Sequence, residues 1–319
     1  MAGDLLKMPE ALEHCGLCPR RCGAARAQGR RGVCGATDRV LVARAALHFW
    51  EEPPLSGERG SGAIFFAHCP LGCVFCQNGQ ISAGGWGRPV DCAGLAAAML
   101  DLQAQGAHNI NLVTATHYAP QVRAAVAEAR TQGLRLPVVY NTSGYELPEA
   151  VAALEGTVDV WLPDFKYADA ALATALSKAS DYPAVALDAI AAMVKLVEKA
   201  GGRWVNDEGI MERGVIVRHL VLPGQLANSL RALDLLWEHF GNAVDVSVMS
   251  QYTPVHGATW PAGYEDLGRS LWEEEYELVL DHSDDLGFEN LWWQQGDAVG
   301  ESFIPAFDGT GVPEAEVHG

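Results

Sequence analysis

Positive charge is what this 319-residue chain has least of: 22 lysines and arginines face 40 aspartates and glutamates, a net charge of −18. A surface of that sign repels nucleic-acid backbones and anionic membranes over long range, so neither is expected as a partner. No apolar run approaches membrane-spanning length, and the start Met1-Ala-Gly-Asp4 lacks an export-signal pattern. Internal repeats and low-complexity stretches are missing, as are the glycine-rich fingerprints of flavin or nicotinamide sites. Cysteine is not scarce. Without an export signal, the eight cysteines read as metal ligands in a reducing cytoplasm rather than as a disulfide framework.

With 49% hydrophobic residues the chain can bury a full core. After a short strand at Val40–Ala43 and an irregular stretch from His48 to Gly57, a β/α alternation begins at Ser61. Strands are expected at Gly62–Ala67, Asn109–Thr114, Pro137–Asn141, Val158–Pro163, Gly214–Val221, Ala243–Gln251 and Glu289–Gln294. Helices are expected at Cys92–Gln105, Ala119–Thr131, Pro148–Glu155, Tyr182–Ala200, Ala227–Phe240 and Tyr264–Leu286. Such a run folds as a parallel (β/α) barrel, partial or full. The expected organisation is a cysteine-rich metal-binding segment over 1–45, the barrel over 46–295 and a tail over 296–319.

Two cysteine groups carry the chemistry. Cys69-Pro-Leu-Gly-Cys73-Val-Phe-Cys76 follows an apolar strand and places three thiols within eight residues. Three thiolates leave one coordination position open, as reactivity requires; a structural zinc or redox dithiol usually wants a complete or paired set. Cys15, Cys18 and Cys22, completed by Cys34, form a set of four, which reads as a closed site, either zinc or a second iron–sulfur cluster. Five arginines between Arg20 and Arg31 would offset its anionic thiolates.

In parallel barrels the chemistry sits at the carboxyl ends of the strands, and every strand exit here is polar. The exits carry Thr114 to Tyr118, Asn141 to Tyr145, Asp164 to Tyr167, Arg218-His219, Ser250 to Pro254 and Trp292 to Gln295. One shared ligand site explains this better than core packing. Glu51 and Glu52, beside prolines, read as solvated rather than as lining a mouth. His117 is open to either a functional or a core role, and Cys92 reads as a small buried hydrophobe.

The C-x3-C-x2-C motif with Phe75 resembles that of radical S-adenosylmethionine enzymes. With Glu52-Pro-Pro-Leu-Ser-Gly57 and Cys15-x2-Cys18-Pro-Arg-Arg-Cys22, it is similar to the homologues of pyruvate formate-lyase activating enzyme, over about Cys15 to Gln294. The resemblance implies a 4Fe–4S cluster on Cys69, Cys73 and Cys76. It also implies reductive cleavage of S-adenosylmethionine to a 5′-deoxyadenosyl radical that abstracts hydrogen from a substrate. Asn141 to Gly144, Asp164-Phe-Lys166 and Arg218 with Val221-Leu-Pro-Gly224 stand where those enzymes touch S-adenosylmethionine. Their Gly-Gly-Glu, which grips the amino group, is replaced by Thr114-Ala-Thr116-His117. The implied S-adenosylmethionine-binding set is Phe75, Thr114, Thr116, Asn141, Ser143, Asp164, Lys166, Arg218 and Gln251, with Lys166 for the carboxylate and the amides and hydroxyls, Thr142 among them, for the ribose.

Three functions remain open: a radical activase acting on a protein glycine, radical modification of a small molecule or peptide, and an iron–sulfur or zinc protein that only transfers electrons or scaffolds. A flavodoxin or ferredoxin is the expected electron donor. An ordered tail over the mouth would favour a small enclosed substrate, and a free one a protein.

Overall fold

A computed structural model describes residues 5–255, 257, 259–294 and 304–313. The expectations for the first four residues, for Gln295 and for most of the tail lie outside the described residues. Ten strands form one sheet: β1 (Val40–His48), β2 (Ser61–Phe66), β3 (Arg88–Val90), β4 (Ile110–Val113), β5 (Val138–Thr142), β6 (Val160–Pro163), β7 (Trp204–Val205), β8 (Met211–Leu220), β9 (Asp245–Met249) and β10 (Leu291–Trp293). Their order is β10-β9-β8-β6-β5-β4-β2-β1-β3, with β7 pairing to β8 alone.

From β2 to β10 the seven strands are mutually parallel, while β1 runs antiparallel to β2. This is the expected α/β architecture in its partial form, because the sheet does not close. The parallel strands are nearly continuous apolar runs, every residue of β2, β4, β5, β6 and β9 being buried, as strands covered on both faces must be. Helices Cys92–Ala104, Ala119–Thr131, Tyr182–Lys199 and Leu226–Phe240 match expectation within a residue.

Several elements differ from expectation. Tyr264–Leu286 is not one helix: a 3-10 turn at Glu265–Gly268 is followed by extended Arg269, and the helix restarts at Glu273. Glu275 accepts the Trp272 backbone N–H and a bidentate grip from Arg269, so the side chains cap a new start in mid-segment. The stretch after β1 holds one helical turn, Pro53–Ser56, and the helix Ala170–Ser177 went unanticipated. β1 also runs on to His48, beyond the expected Val40–Ala43.

That segment has no core of its own. Leu6, Leu12, Cys15 and Leu17 join the main buried cluster. Arg20, between Cys18 and Cys22, donates to the carbonyls of Pro70 (3.0 Å) and Leu71 (3.1 Å), inside the second cysteine loop, and to Ser177 (2.7 Å) and Lys178 at the end of the helix Ala170–Ser177. Fully buried Arg26 reaches the carbonyls of Thr37 and His117, and His117 Nε2 bonds the Ala67 carbonyl at 2.8 Å. The two cysteine loops are therefore fastened together by guanidinium-to-carbonyl bonds, among the stronger hydrogen bonds. The described end of the tail, 304–313, runs along the free edge of β1: Gly309 N–H bonds Ala43 and Ala45 N–H bonds Thr310. Replacing Arg20 with alanine should free the N-terminal segment. Limited proteolysis should then cut within residues 5–39 faster than in wild type, while the barrel itself stays resistant.

Candidate functional site

One cavity of about 550 Å³ opens at the carboxyl ends of the parallel strands. All seven contribute to its wall: Phe65 and the three cysteines after β2, Val113 and Thr114 at β4, Asn141 and Ser143 at β5, Asp164 and Lys166 at β6, Arg218 and Leu220 at β8, Ser247, Met249 and Gln251 at β9, Trp292 and Trp293 at β10. The segment His48 to Ser56 supplies the facing side. Convergence from seven separate strands is what packing alone does not require.

Charge in the cavity is dense and paired. Asp164 Oδ1 accepts from Arg218 Nε at 2.9 Å and Oδ2 from Lys166 Nζ at 2.5 Å. Arg218 also donates to Asn141 Oδ1 at 2.6 Å and lies 3.4 Å from Glu51. Burial opposes the charge on Asp164, but the two cations outweigh it and hold its carboxyl below the usual range. Lys166 is likewise held charged, against burial, by Asp164 and the Cys73 sulfur. Burial pushes Glu51 and Glu52 upward, only partly offset by Arg218. The solvated reading of these two glutamates is overturned: they stand just before the helical turn Pro53–Ser56, near Arg218, and both line the cavity.

Cys69, Cys73 and Cys76 all border this cavity as free thiols. Burial, with Cys73 and Cys76 nearby, pushes Cys69 up to about 12, and burial raises Cys73 against the pull of Lys166. A thiol so placed favours its neutral form unless a metal takes up the thiolate. Ser82 Oγ lies 3.2 Å from Cys76 Sγ, and the Tyr167–Ser177 hydroxyl pair stands next to Cys73. Buried Ser143 Oγ, Gln251 Oε1 and Trp292 Nε1 on the same wall have no partner among the described residues. Unsatisfied buried polar atoms facing a cavity call for a polar ligand. Thr114 (φ 62°) and His68 (φ 74°) are non-glycine residues in the left-handed region, and each stands at a strand exit next to this wall. Thiols, two cations and orphaned polar groups together fit a cluster with a zwitterionic ligand.

Eight of the nine residues expected to touch S-adenosylmethionine line the cavity: Phe75, Thr114, Asn141, Ser143, Asp164, Lys166, Arg218 and Gln251. Thr116 does not. It turns into a 3-10 helix behind the wall and donates, with Thr142, to Glu146. His117 is a core histidine, buried and lowered to about 3 by burial. Cys92 is half-buried rather than buried, at the start of its helix, beside a second cavity of about 730 Å³. The sequence offered no sign of Glu146, a buried carboxyl whose side-chain hydrogen-bond partners among the described residues are Thr116 and Thr142.

The N-terminal thiols also gather. Cys15 and Cys18 are buried, and a Cβ on Gly32 would lie 3.3 Å from Cys34 Sγ and 3.4 Å from Cys22 Sγ. Among the described residues, no group of three His, Cys, Asp or Glu side chains converges on a point that a single ion could occupy. No described helix is long and apolar enough to cross a membrane.

No family model matches the chain. It is 30% identical over 276 residues to the uncharacterized protein MJ0674 of Methanocaldococcus jannaschii, covering 84% of this chain and 74% of that protein. The chain belongs to the family of that protein. Among solved structures it is similar to a radical SAM methyltransferase from Sphaerobacter thermophilus (17% identity, TM-score 0.48, 76% of this chain and 66% of that one). It is also similar to Streptococcus suis SuiB bound to S-adenosylmethionine (13% identity, TM-score 0.49, 74% and 50%). The chain thus spans between half and two thirds of the length of those two.

Glu146 yields a pH test. Burial raises it from 4.5 to about 7 despite the Thr116 and Thr142 hydrogen bonds. The folded state therefore holds a proton that the unfolded chain has released, and stability falls as pH rises through that window. Glu146→Gln should leave the melting temperature at pH 4 unchanged and raise it above pH 7, by at most about 3 kcal/mol of stability.

Proposed function

We propose that the protein is a radical S-adenosylmethionine enzyme, its cluster held by Cys69, Cys73 and Cys76. The single observation that carries the reading is the convergence on one cavity of three thiols with the Asp164–Lys166–Arg218 ion group. A 4Fe–4S cluster bound there would supply an electron to S-adenosylmethionine and break its carbon–sulfur bond, yielding methionine and a 5′-deoxyadenosyl radical.

The protein's own residues do the holding. Lys166, fixed by Asp164, offers the ligand's carboxylate a cation beside the cluster thiols. Thr114, in its left-handed backbone, presents its hydroxyl where an amino group must be received. Ser143 Oγ and Gln251 Oε1, both without partners among the described residues, suit ribose hydroxyls, and Phe75 with Leu220 gives the adenine an apolar wall. Asn141 is already engaged by Arg218, so it orients that guanidinium as well as facing the cavity.

The substrate reading the geometry supports best is a protein or peptide segment, as for an activase. Phe49 (51% exposed), Trp50 (52%) and Trp293 (52%) line the cavity yet remain open to solvent, an apolar rim suited to an accessible chain rather than an enclosed small molecule. Eight free cysteines fit a reducing cytoplasm. The four N-terminal cysteines are read as a second metal centre. Anaerobically reconstituted wild type, given dithionite and S-adenosylmethionine, should form 5′-deoxyadenosine by mass spectrometry, and Cys73→Ala should form none. Equal product from both, or none from wild type with a full iron complement, would contradict the reading.

A further inference from the structure

The cavity holds more negative charge than it pairs. Three carboxylates, Glu51, Glu52 and Asp164, line it against two cations, Lys166 and Arg218. Asp164 takes both cations. Glu51 Oε2 is left with a 3.4 Å contact to Arg218 Nη1, longer than the 2.9 and 2.6 Å bonds of that guanidinium to Asp164 and Asn141. Glu52 is 8% exposed, and its Oε2 has no partner among the described residues. A buried carboxylate without a hydrogen-bonded partner costs stability, so a ligand that supplies one is favoured. The backbone that carries the pair is fixed. Ser56 Oγ accepts the Glu51 N–H at 2.9 Å, and the Glu52 carbonyl accepts the Leu55 and Ser56 N–H groups at 2.8 and 3.0 Å. Buried Asn109 donates to the Leu55 carbonyl at 2.8 Å and anchors the turn. Neither glutamate belongs to the set assigned above to S-adenosylmethionine; both come from the segment facing the strand exits. Phe49 and Trp50 directly precede them, and with Trp293 give the same cavity its exposed aromatic rim. Carboxylates behind open aromatic faces form a receptor for a cation on an apolar stem.

We propose that the substrate is a basic peptide or protein segment, and that Glu51 and Glu52 receive the ammonium of a lysine-like side chain whose stem passes the aromatic rim of Trp50 and Trp293. The inference rests on the radical reading above and names the substrate class for the same cavity. The step is binding alone; no bond forms or breaks. An ammonium carries three rotatable donors and no acceptor, which suits two carboxylates that still have oxygens to satisfy. It would also bring the cavity's charged side chains to three of each sign. The chain as a whole favours the same partner at longer range, because a net charge of −18 draws a basic segment in and repels an acidic one.

The test reads peptide binding by fluorescence anisotropy on the reconstituted full chain with S-adenosylmethionine. The probes are a dye-labelled glycine–serine peptide with one central lysine and the same peptide with norleucine there, which keeps the stem and drops the charge. Wild type should prefer the lysine peptide by about tenfold. The double variant Glu51→Gln, Glu52→Gln should bring that ratio close to one, which separates the site from the general pull of an acidic surface. Trp50→Leu, a change at an exposed residue that keeps an apolar side chain, should cut the ratio about threefold. The proposal is overturned if wild type binds both peptides equally, if Trp50→Leu leaves the ratio unchanged, or if the lysine preference survives in the double variant. In that last case the glutamates serve S-adenosylmethionine or the fold instead. No arm depends on 5′-deoxyadenosine. A lysine preference without that product would contradict the radical reading alone, and the product without the preference would contradict this inference alone.

Discussion

The site depends on a buried ion group. Asp164 follows β6, Arg218 comes from β8 and Asn141 from β5, so their hydrogen bonds tie three strand ends into one wall. The backbone repeats the tie, with Phe165 N–H bonded to the Arg218 carbonyl. Charges buried this deeply persist only when paired and hydrogen-bonded. Pairing Asp164 with both Lys166 and Arg218 fixes the cations where an anionic ligand group can reach them. Tyr182 extends the support, its hydroxyl donating to the Asp164 and Ser143 carbonyls while accepting the Lys166 N–H. Gly144 (φ 76°) lies against the Asp164 carbonyl oxygen, where no side chain fits.

The N-terminal segment is part of the same construction. It shares the main core, and its arginines grip the loop that carries the other three cysteines. Two thiol sets that are distant in sequence therefore become neighbours, with Gly35 against His68 at the seam. The tail acts at the far edge. Residues 304–313 cover the part of β1 that β3 leaves unpaired, and Phe307 packs on Phe65 at 5.5 Å. That shields an edge strand beside the cavity.

Much of this was legible from the chain. Apolar runs ended by polar residues located every parallel strand, because buried strands and their exits differ so sharply in composition. Eight of nine proposed contact residues fell on the cavity for the same reason: exit position is readable without coordinates. What failed was local. Thr116 sits two residues beyond Thr114, but a 3-10 turn carries it behind the wall, and turn geometry left no mark in the pattern. Glu51 and Glu52 looked solvated because the proline turn that buries them is itself set by tertiary packing. The break at Arg269 arises from side-chain caps that the apolar spacing of Tyr264–Leu286 conceals.

The most direct test of the account is electron–nuclear double resonance on the reduced, reconstituted protein with S-adenosylmethionine labelled with nitrogen-15 at its amino group. Direct ligation to the open iron should give a strong nitrogen-15 hyperfine doublet, replaced by the corresponding nitrogen-14 pattern when the label is omitted. A well-formed cluster showing no such coupling would mean that the cavity does not hold S-adenosylmethionine on the metal, and the central claim would be wrong.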